Sequence, residues 1–326
     1  MESHRFVEGR TGTLSWICEG SEEVNGSLPP PHTRPLRERV VDVRRRLLGE
    51  EHPATLAAMA SLARAFQKEG DLSAAQGLEE HVLAACEREH GPEHPRSVAA
   101  RSALALTLRD RGLRDGNGTL LARARFLIRD VVQARRATLG NSDARTLTAR
   151  NNFATVVYET GGVRGAQTLL ELILEDARRT LEGDHDVCLT TESNLAEALT
   201  ARGELRRART LHEEVLDIRR RVLGYRHPET LNSMSSLARV LHADGDACHA
   251  RALQELVLEV RRAVLGDAHP DTVVSLNDLA RAYSLEGEQS RAVELADRAL
   301  GGARAIWGSD HPHTLELLRF RSSLEG

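Results

Sequence analysis

The sequence predicts an all-α chain, a solenoid of antiparallel helix hairpins, and three observations carry that prediction. His-Pro recurs at 52, 94, 227, 269 and 311, and the same register falls on His185-Asp186 and on a degraded Asp143-Ala144. The steps between these points are 42, 49, 42, 42, 42 and 42 residues, and a fixed period of this size marks a stacked-helix array. Within each period, two apolar stretches of helical spacing are separated by a glycine.

Composition narrows the function. A net charge of −4 argues against nucleic acid as the main partner, and 3% aromatic residues leave few platforms on which bases or sugars could stack. Lys68 is the only lysine beside abundant arginine, a bias expected of a GC-rich genome such as an actinobacterium's. Cys18, Cys86, Cys188 and Cys248 lie far apart with no C-x-x-C pair, as free thiols of a reducing compartment do, three of them expected inside helices. No apolar run approaches a membrane span and no signal pattern opens the chain, so a cytoplasmic protein without membrane contact is expected.

Residues 1–33 lie outside the period. Their glycines and the run Pro29-Pro30-Pro31 favour a flexible tail in which Trp16 and Ile17 are the only large apolar cluster. The solenoid is expected over 34–326. It begins halfway through a unit, because Leu36, Val40, Val41, Val43 and Leu47 over 36–49 read as a second helix without its first. Six hairpins over 52–308 follow, and a final helix at 311–326.

Each hairpin reads alike. In the unit at 227, Pro228 suits the first helical position, where a missing N–H costs nothing, and His227 falls at or just before the N-cap. Leu231, Leu237-Ala238 and Leu241 line the first helix, and Gly245 stops it. Ala250, Leu253, Val257-Leu258 and Val264-Leu265 line the second, which Gly266 ends. Turn glycines recur at 70, 112, 161, 203, 245 and 287, and small alanines at 75, 124, 166, 208, 250 and 292 let the two helices approach closely. Seven extra residues lie between Gly112 and Ala124. Asn117-Gly118 is a turn former, so the insert at 114–120 is expected to lengthen a hairpin loop; it lacks the acidic spacing of a calcium loop.

The recurring Leu-Gly-x-x-His-Pro-x-Thr-Leu, the Asn/Ser-Leu-Ala step, the turn glycine and the second-helix alanine together resemble the tetratricopeptide repeat of the 42-residue kind. This kind occurs in kinesin light chains and in many bacterial proteins. The resemblance covers residues 36–326; His90, Glu182, Asp186 and Trp307 depart from it at cap positions. It implies a right-handed superhelical solenoid whose first helices line a concave groove where related arrays grip extended peptides. Bacterial relatives often follow a nucleotide-hydrolysing switch domain, yet this sequence holds no G-x-x-x-x-G-K-[ST].

Catalytic and metal chemistry find little footing. Equivalent histidines of neighbouring units are separated by at least one helix-packing distance, about 8–10 Å, far from the spacing zinc needs, so they read as caps. His90 and His94 span the helix breakers Gly91 and Pro92, and His311 with His313 has no evident third ligand. The arginine runs at 44–46, 135–136, 178–179, 219–221 and 261–262 read as solvated ion pairs at helix ends rather than as an anion-binding ridge. No nucleophile elbow or Cys–His–Asn context occurs, and neither an enzyme nor a cofactor is expected.

The groove remains. Counting from the Leu-Ala register, its polar residues are Arg64, Ser102, Asn151, Asn152, Asn194, Asn232, Ser235, Arg239, Asn277, Asp278 and Arg281. Asparagine pairs with a peptide backbone without demanding a sequence, and arginine forks onto carboxylates. The expected function is a non-catalytic scaffold or adaptor holding a protein or peptide ligand. The alternative is a regulatory sensor that changes shape on binding a small peptide signal. The unpartnered helices at the two ends of the array, the last carrying Leu315, Leu318 and Phe320, suggest head-to-tail self-association.

Overall fold

The computed structural model describes residues 33–324, so the expected tail up to residue 32, with Trp16, Ile17 and Cys18, lies outside the described residues. Fourteen α-helices follow one another within them: α1 (Thr33–Leu48), α2 (Pro53–Lys68), α3 (Leu72–His90), α4 (Pro95–Arg114), α5 (Gly118–Leu139), α6 (Ala144–Glu159), α7 (Val163–Thr180), α8 (Asp186–Ala201), α9 (Leu205–Leu223), α10 (Pro228–Ala243), α11 (Ala247–Leu265), α12 (Pro270–Leu285), α13 (Gln289–Trp307) and α14 (Pro312–Ser323). The chain divides within α8 into two compact units: one reaches Thr191 and the other starts at Glu192. Each unit is a stack of helix hairpins. None of the described helices is long and apolar enough to cross a membrane.

The cap chemistry explains the motif. His52, His94, His185, His227, His269 and His311 each accept, through Nδ1, the N–H of the residue two ahead, at 3.1–3.3 Å. That bond satisfies one of the orphan donors of the first turn, and it requires an unprotonated Nδ1. In the degraded unit the Asp143 carboxylate does the same for Arg145 at 2.9 Å. The threonine of the motif works backwards along the chain: the hydroxyls of Thr55, Thr230 and Thr272 each donate at 2.8 Å to the carbonyl of Gly49, Gly224 or Gly266, closing the preceding helix end. Those glycines have φ of 93°, 86° and 84°, a left-handed backbone that favours glycine. Where Glu182 stands in their place, α7 stops early and Leu181 caps it in extended conformation, φ −119°.

The insert is corrected by the structure. It does not lengthen a loop. Compared with α2 and α3, of 16 and 19 residues, α4 and α5 have 20 and 22, and the turn between them still spans only residues 115–117. Seven residues are close to two helical turns, so both helices grow without turning their apolar faces away from the core. Gly112 is accordingly not the turn glycine. It lies inside α4, where a Cβ would meet the Leu121 side chain at 2.9 Å, and Gly116, at φ 62°, makes the turn instead.

In the first unit Val41, Leu56, Met59, Leu62 and Val82 form one core cluster, and Ile128, Val131, Val132 and Val156 belong to the next. In the second, Leu216, Leu231, Met234 and Leu237 pack together, as do Leu276, Leu279, Leu295 and Leu300. The repeated alanines of both helices are fully buried, which lets the helices of a hairpin approach closely. Cys86 and Cys188 are buried, but Cys248 is exposed. Helix α1 leaves Leu36, Val43 and Leu47 at the surface.

Candidate functional site

The arginine runs divide in two, and the expectation of solvated pairs holds for only part of them. Eight residues before each cap the chain reads Arg44, Cys86, Arg135, Ala177, Arg219, Arg261 and Ala303. Arg135, Arg219 and Arg261 are buried, and Arg44 is half-buried. Each runs forward to a carbonyl in the first turn of the next first helix: Ala54 at 2.8 Å, Arg145 at 2.9 Å, Glu229 at 3.4 Å and Asp271 at 3.2 Å. A helix-end arginine therefore ties consecutive hairpins together, with its methylenes as core filler and its head fully engaged.

Arg261 shows what this arginine occupies. Its Nη1 also donates to Ser275 Oγ at 2.7 Å and its Nη2 to Asn232 Oδ1 at 2.6 Å. It thereby fills the space between α10 and α12 on the face that carries the expected binding residues. Nearby, Asp278 is surrounded by Arg239, Arg261 and Arg281; burial raises its pKa and the three arginines oppose that rise. Arg239 pairs with Glu197 and donates to Ser236 Oγ at 3.1 Å. The Ser235 hydroxyl turns back to the Leu231 carbonyl at 3.2 Å. Arg281 lies over the Phe320 ring, 4.4 Å from its centroid. The second unit thus brings Asn232, Ser235, Arg239, Asp278 and Arg281 to one face, largely satisfied by their own neighbours. Asn277 is half-buried beside Asp278, with Oδ1 unbonded.

Three expected contact residues are corrected by their burial. Asn151, Asn152 and Asn194 are 0%, 1% and 1% exposed and present no surface to a ligand. They lie at the Asn-Leu-Ala step, where the polar side chain is enclosed rather than offered.

Arg64 and Ser102 belong to a different environment. They line a cavity of about 470 Å³ between α2, α3 and α4 in the first unit. Its walls are made by Ala57, Ala60, Ala99 and Ala103, with Val82 and Leu106. Cys86 lines it too, at the register of Arg261; Ala57 and Ala100 stand where the second unit has Asn232 and Ser275. The slot is the space an arginine fills elsewhere in the chain. A cysteine side chain is too short to fill it.

Glu79 closes the inner end. It is 4% exposed and lines the slot; Oε1 accepts from Gln67 Nε2 at 3.0 Å, and Oε2 has no partner. Burial pushes its carboxyl up to about 7, with Thr107 and Arg64 opposing and Asp110 adding to the shift. Glu79 and Cys86 were not among the expected binding residues. Their signal was available only by setting each second helix against the others, since Glu79 shares its register with His212 and Gln254. His212, 1% exposed with neither ring nitrogen hydrogen-bonded, is held neutral by burial, its pKa lowered to about 4.

Two histidine pairs come closer than the sequence suggested. The rings of His90 and His94 lie 4.4 Å apart between centroids, and those of His311 and His313 lie 5.3 Å apart. No group of three His, Cys, Asp or Glu suited to a metal ion exists among the described residues.

Comparison with known proteins places this geometry. Tetratricopeptide repeat models match residues 33–88, 187–253 and 245–305, and a second model of the same repeat matches 146–186. No curated protein matches the sequence. Among solved structures, the nearly identical TPR-like repeats assigned to a kinesin light chain of Podosopora anserina are 29% identical. The match covers 65% of this chain and 98% of that one, with a TM-score of 0.52. BtubC (BKLC) of P. vanneervenii is 23% identical over 72% of this chain and 91% of its own, TM-score 0.54. A Rap protein complexed with Competence and Sporulation Factor is 11% identical over 90% and 80%, TM-score 0.56. With its models matching more than half of the sequence and its hairpins folding as the repeat requires, the chain belongs to the tetratricopeptide repeat family.

Proposed function

We propose that the protein is a non-catalytic interaction scaffold that holds a peptide or protein segment on the faces of its first helices. The observation that supports this reading most is the slot between α2 and α4, walled by alanine and floored by buried polar groups. A concave, mainly apolar site with a few convergent polar groups is what a bound segment needs. Of the expected residues, Arg64 and Ser102 line this slot, and Asn232, Ser235, Arg239, Asn277, Asp278 and Arg281 keep exposed or half-exposed surface in the second unit. The Rap protein of the same fold is complexed with a factor, which agrees with this use of the fold.

The test is a quantitative capture from the source organism's lysate, comparing wild type with two variants. One carries Arg64→Ala and Ala60→Leu in the first unit, the other Asn232→Ala and Arg281→Ala in the second. A protein held by wild type and lost by either variant supports the reading and says which face carries it. A partner retained equally by both variants contradicts it. Small-angle X-ray scattering of the captured complex separates a scaffold, which keeps its profile, from a sensor, which changes it. The exposed leucines and valine of α1 favour one further proposal, head-to-tail self-association, which a strict monomer by light scattering at about 50 μM would contradict.

A further inference from the structure

The first-unit slot combines three features that point to one kind of occupant. It is apolar along its walls, with alanines at 57, 60, 99 and 103. It lies where Arg261 and its methylenes lie in the second unit, with Cys86 in place of the arginine. At its inner end, a carboxylate oxygen of Glu79 is buried and without a partner. An unpaired acceptor in such a place carries a desolvation cost that a donor from a ligand would remove. Resting on the scaffold reading above, we infer that this slot binds a basic side chain, arginine or lysine, of a partner segment, with its methylenes against Val82 and the alanines and its charged head at Glu79.

The dimensions suit it. Glu79 and Cys86 are seven residues apart on α3, about 10 Å along the helix, so an extended basic side chain and the backbone carrying it fit between them. Arginine and lysine pair a long apolar stem with a charged tip, which matches walls of alanine ending at one acceptor. Arg64 can meet a carboxylate of the same segment, and Glu89, His90 and Arg96 also line the slot, while Glu79 is its one buried carboxylate. Among ligands of similar size, an acidic or wholly apolar side chain leaves the Glu79 oxygen unsatisfied.

The test uses the full chain with labelled leucine and valine methyls and three acetylated, amidated pentapeptides. One is Ala-Leu-Arg-Leu-Ala; in the others norleucine or glutamate replaces the arginine. Saturable shifts of the Leu56, Val82 and Leu106 methyls are expected with the arginine peptide, with binding at least about tenfold weaker for the other two. Glu79→Gln, folded by its circular dichroism, should weaken the arginine peptide about fivefold or more and abolish the gain in affinity that wild type shows as pH rises through about 7. Gln67 and Arg64 of α2 and Thr107 and Asp110 of α4 remain around the position in both proteins. If Glu79→Gln does not fold, Ala60→Leu, which fills the slot, should abolish the same methyl shifts. Equal affinity for the norleucine peptide, an unaffected Glu79→Gln, or no shift with the arginine peptide up to about 10 mM would each overturn the inference. A captured partner lost only by the second-unit variant would accompany that failure while leaving the scaffold reading intact.

Discussion

The gap between α2 and α4 in the first unit and the gap between α10 and α12 in the second carry the same repeat and use its first-helix face in opposite ways. Between α10 and α12 the face is closed from within: Arg261 fills it and is held by Asn232, Ser275 and the Asp271 carbonyl. Between α2 and α4 the three matching positions are Cys86, Ala57 and Ala100, and a slot remains. The backbone caps are the same in both, His94 and His269 each holding the first turn. Stacking and the opening of a slot are therefore separable properties of this repeat. Caps and small alanines set the first; a handful of positions set the second.

The contrast can be broken from the second unit, where the largest effect is expected. Arg261→Ala removes the donor to Ser275 Oγ and to Asn232 Oδ1, takes one of the donors from the Asp271 carbonyl and empties the volume of the side chain. We expect about 3 kcal/mol of destabilisation in urea unfolding. A loss below about 0.5 kcal/mol would show that the arginine is not what closes this face.

The same register gives opposite pH dependences in the two units. Unfolded, Glu79 loses its proton above about 4.5, but folded it keeps it up to about 7, so unfolding releases a proton in this window and stability falls as pH rises. Unfolded, His212 gains a proton below about 6.5, while folded it stays neutral down to about 4, so stability falls as pH drops through that window. Each effect is on the order of 3 kcal/mol. Relative to wild type, Glu79→Gln should flatten the loss on going from pH 4.5 to 7, and His212→Leu the loss on going from pH 6.5 to 4. Denaturation across this range checks both; parallel curves for variant and wild type would contradict the assignment.

A smaller effect tests what the units share. His227→Ala removes a cap and should cost about 1 kcal/mol, whereas His227→Asp should cost much less, since Asp143 already caps α6 in this chain. Thermal melts of the two variants make the comparison.

Much of this architecture was legible in the sequence because it depends on local residues. The His-Pro caps, the left-handed glycines and the buried alanines recur at fixed intervals, and each acts within a few residues of itself. Other features were not local. The insert looked like a loop because Asn117-Gly118 forms turns. Only the packed structure shows α4 and α5 each absorbing about one turn. Asn151, Asn152 and Asn194 read as contact residues because they fall beside the Leu-Ala step and asparagine can pair with a peptide backbone; their burial depends on neighbouring helices. The slot was least legible of all. It is a missing side chain, visible only when Cys86 is set beside Arg135, Arg219 and Arg261.

The most direct test restores that side chain. Cys86→Arg gives the gap between α2 and α4 the arginine that closes the one between α10 and α12, with the Arg96 carbonyl in the place of that of Asp271. The arginine pentapeptide should bind this variant at least about tenfold more weakly than wild type, with the melting temperature unchanged or raised. Wild-type affinity in a folded Cys86→Arg protein would contradict the claim that this slot is the binding face.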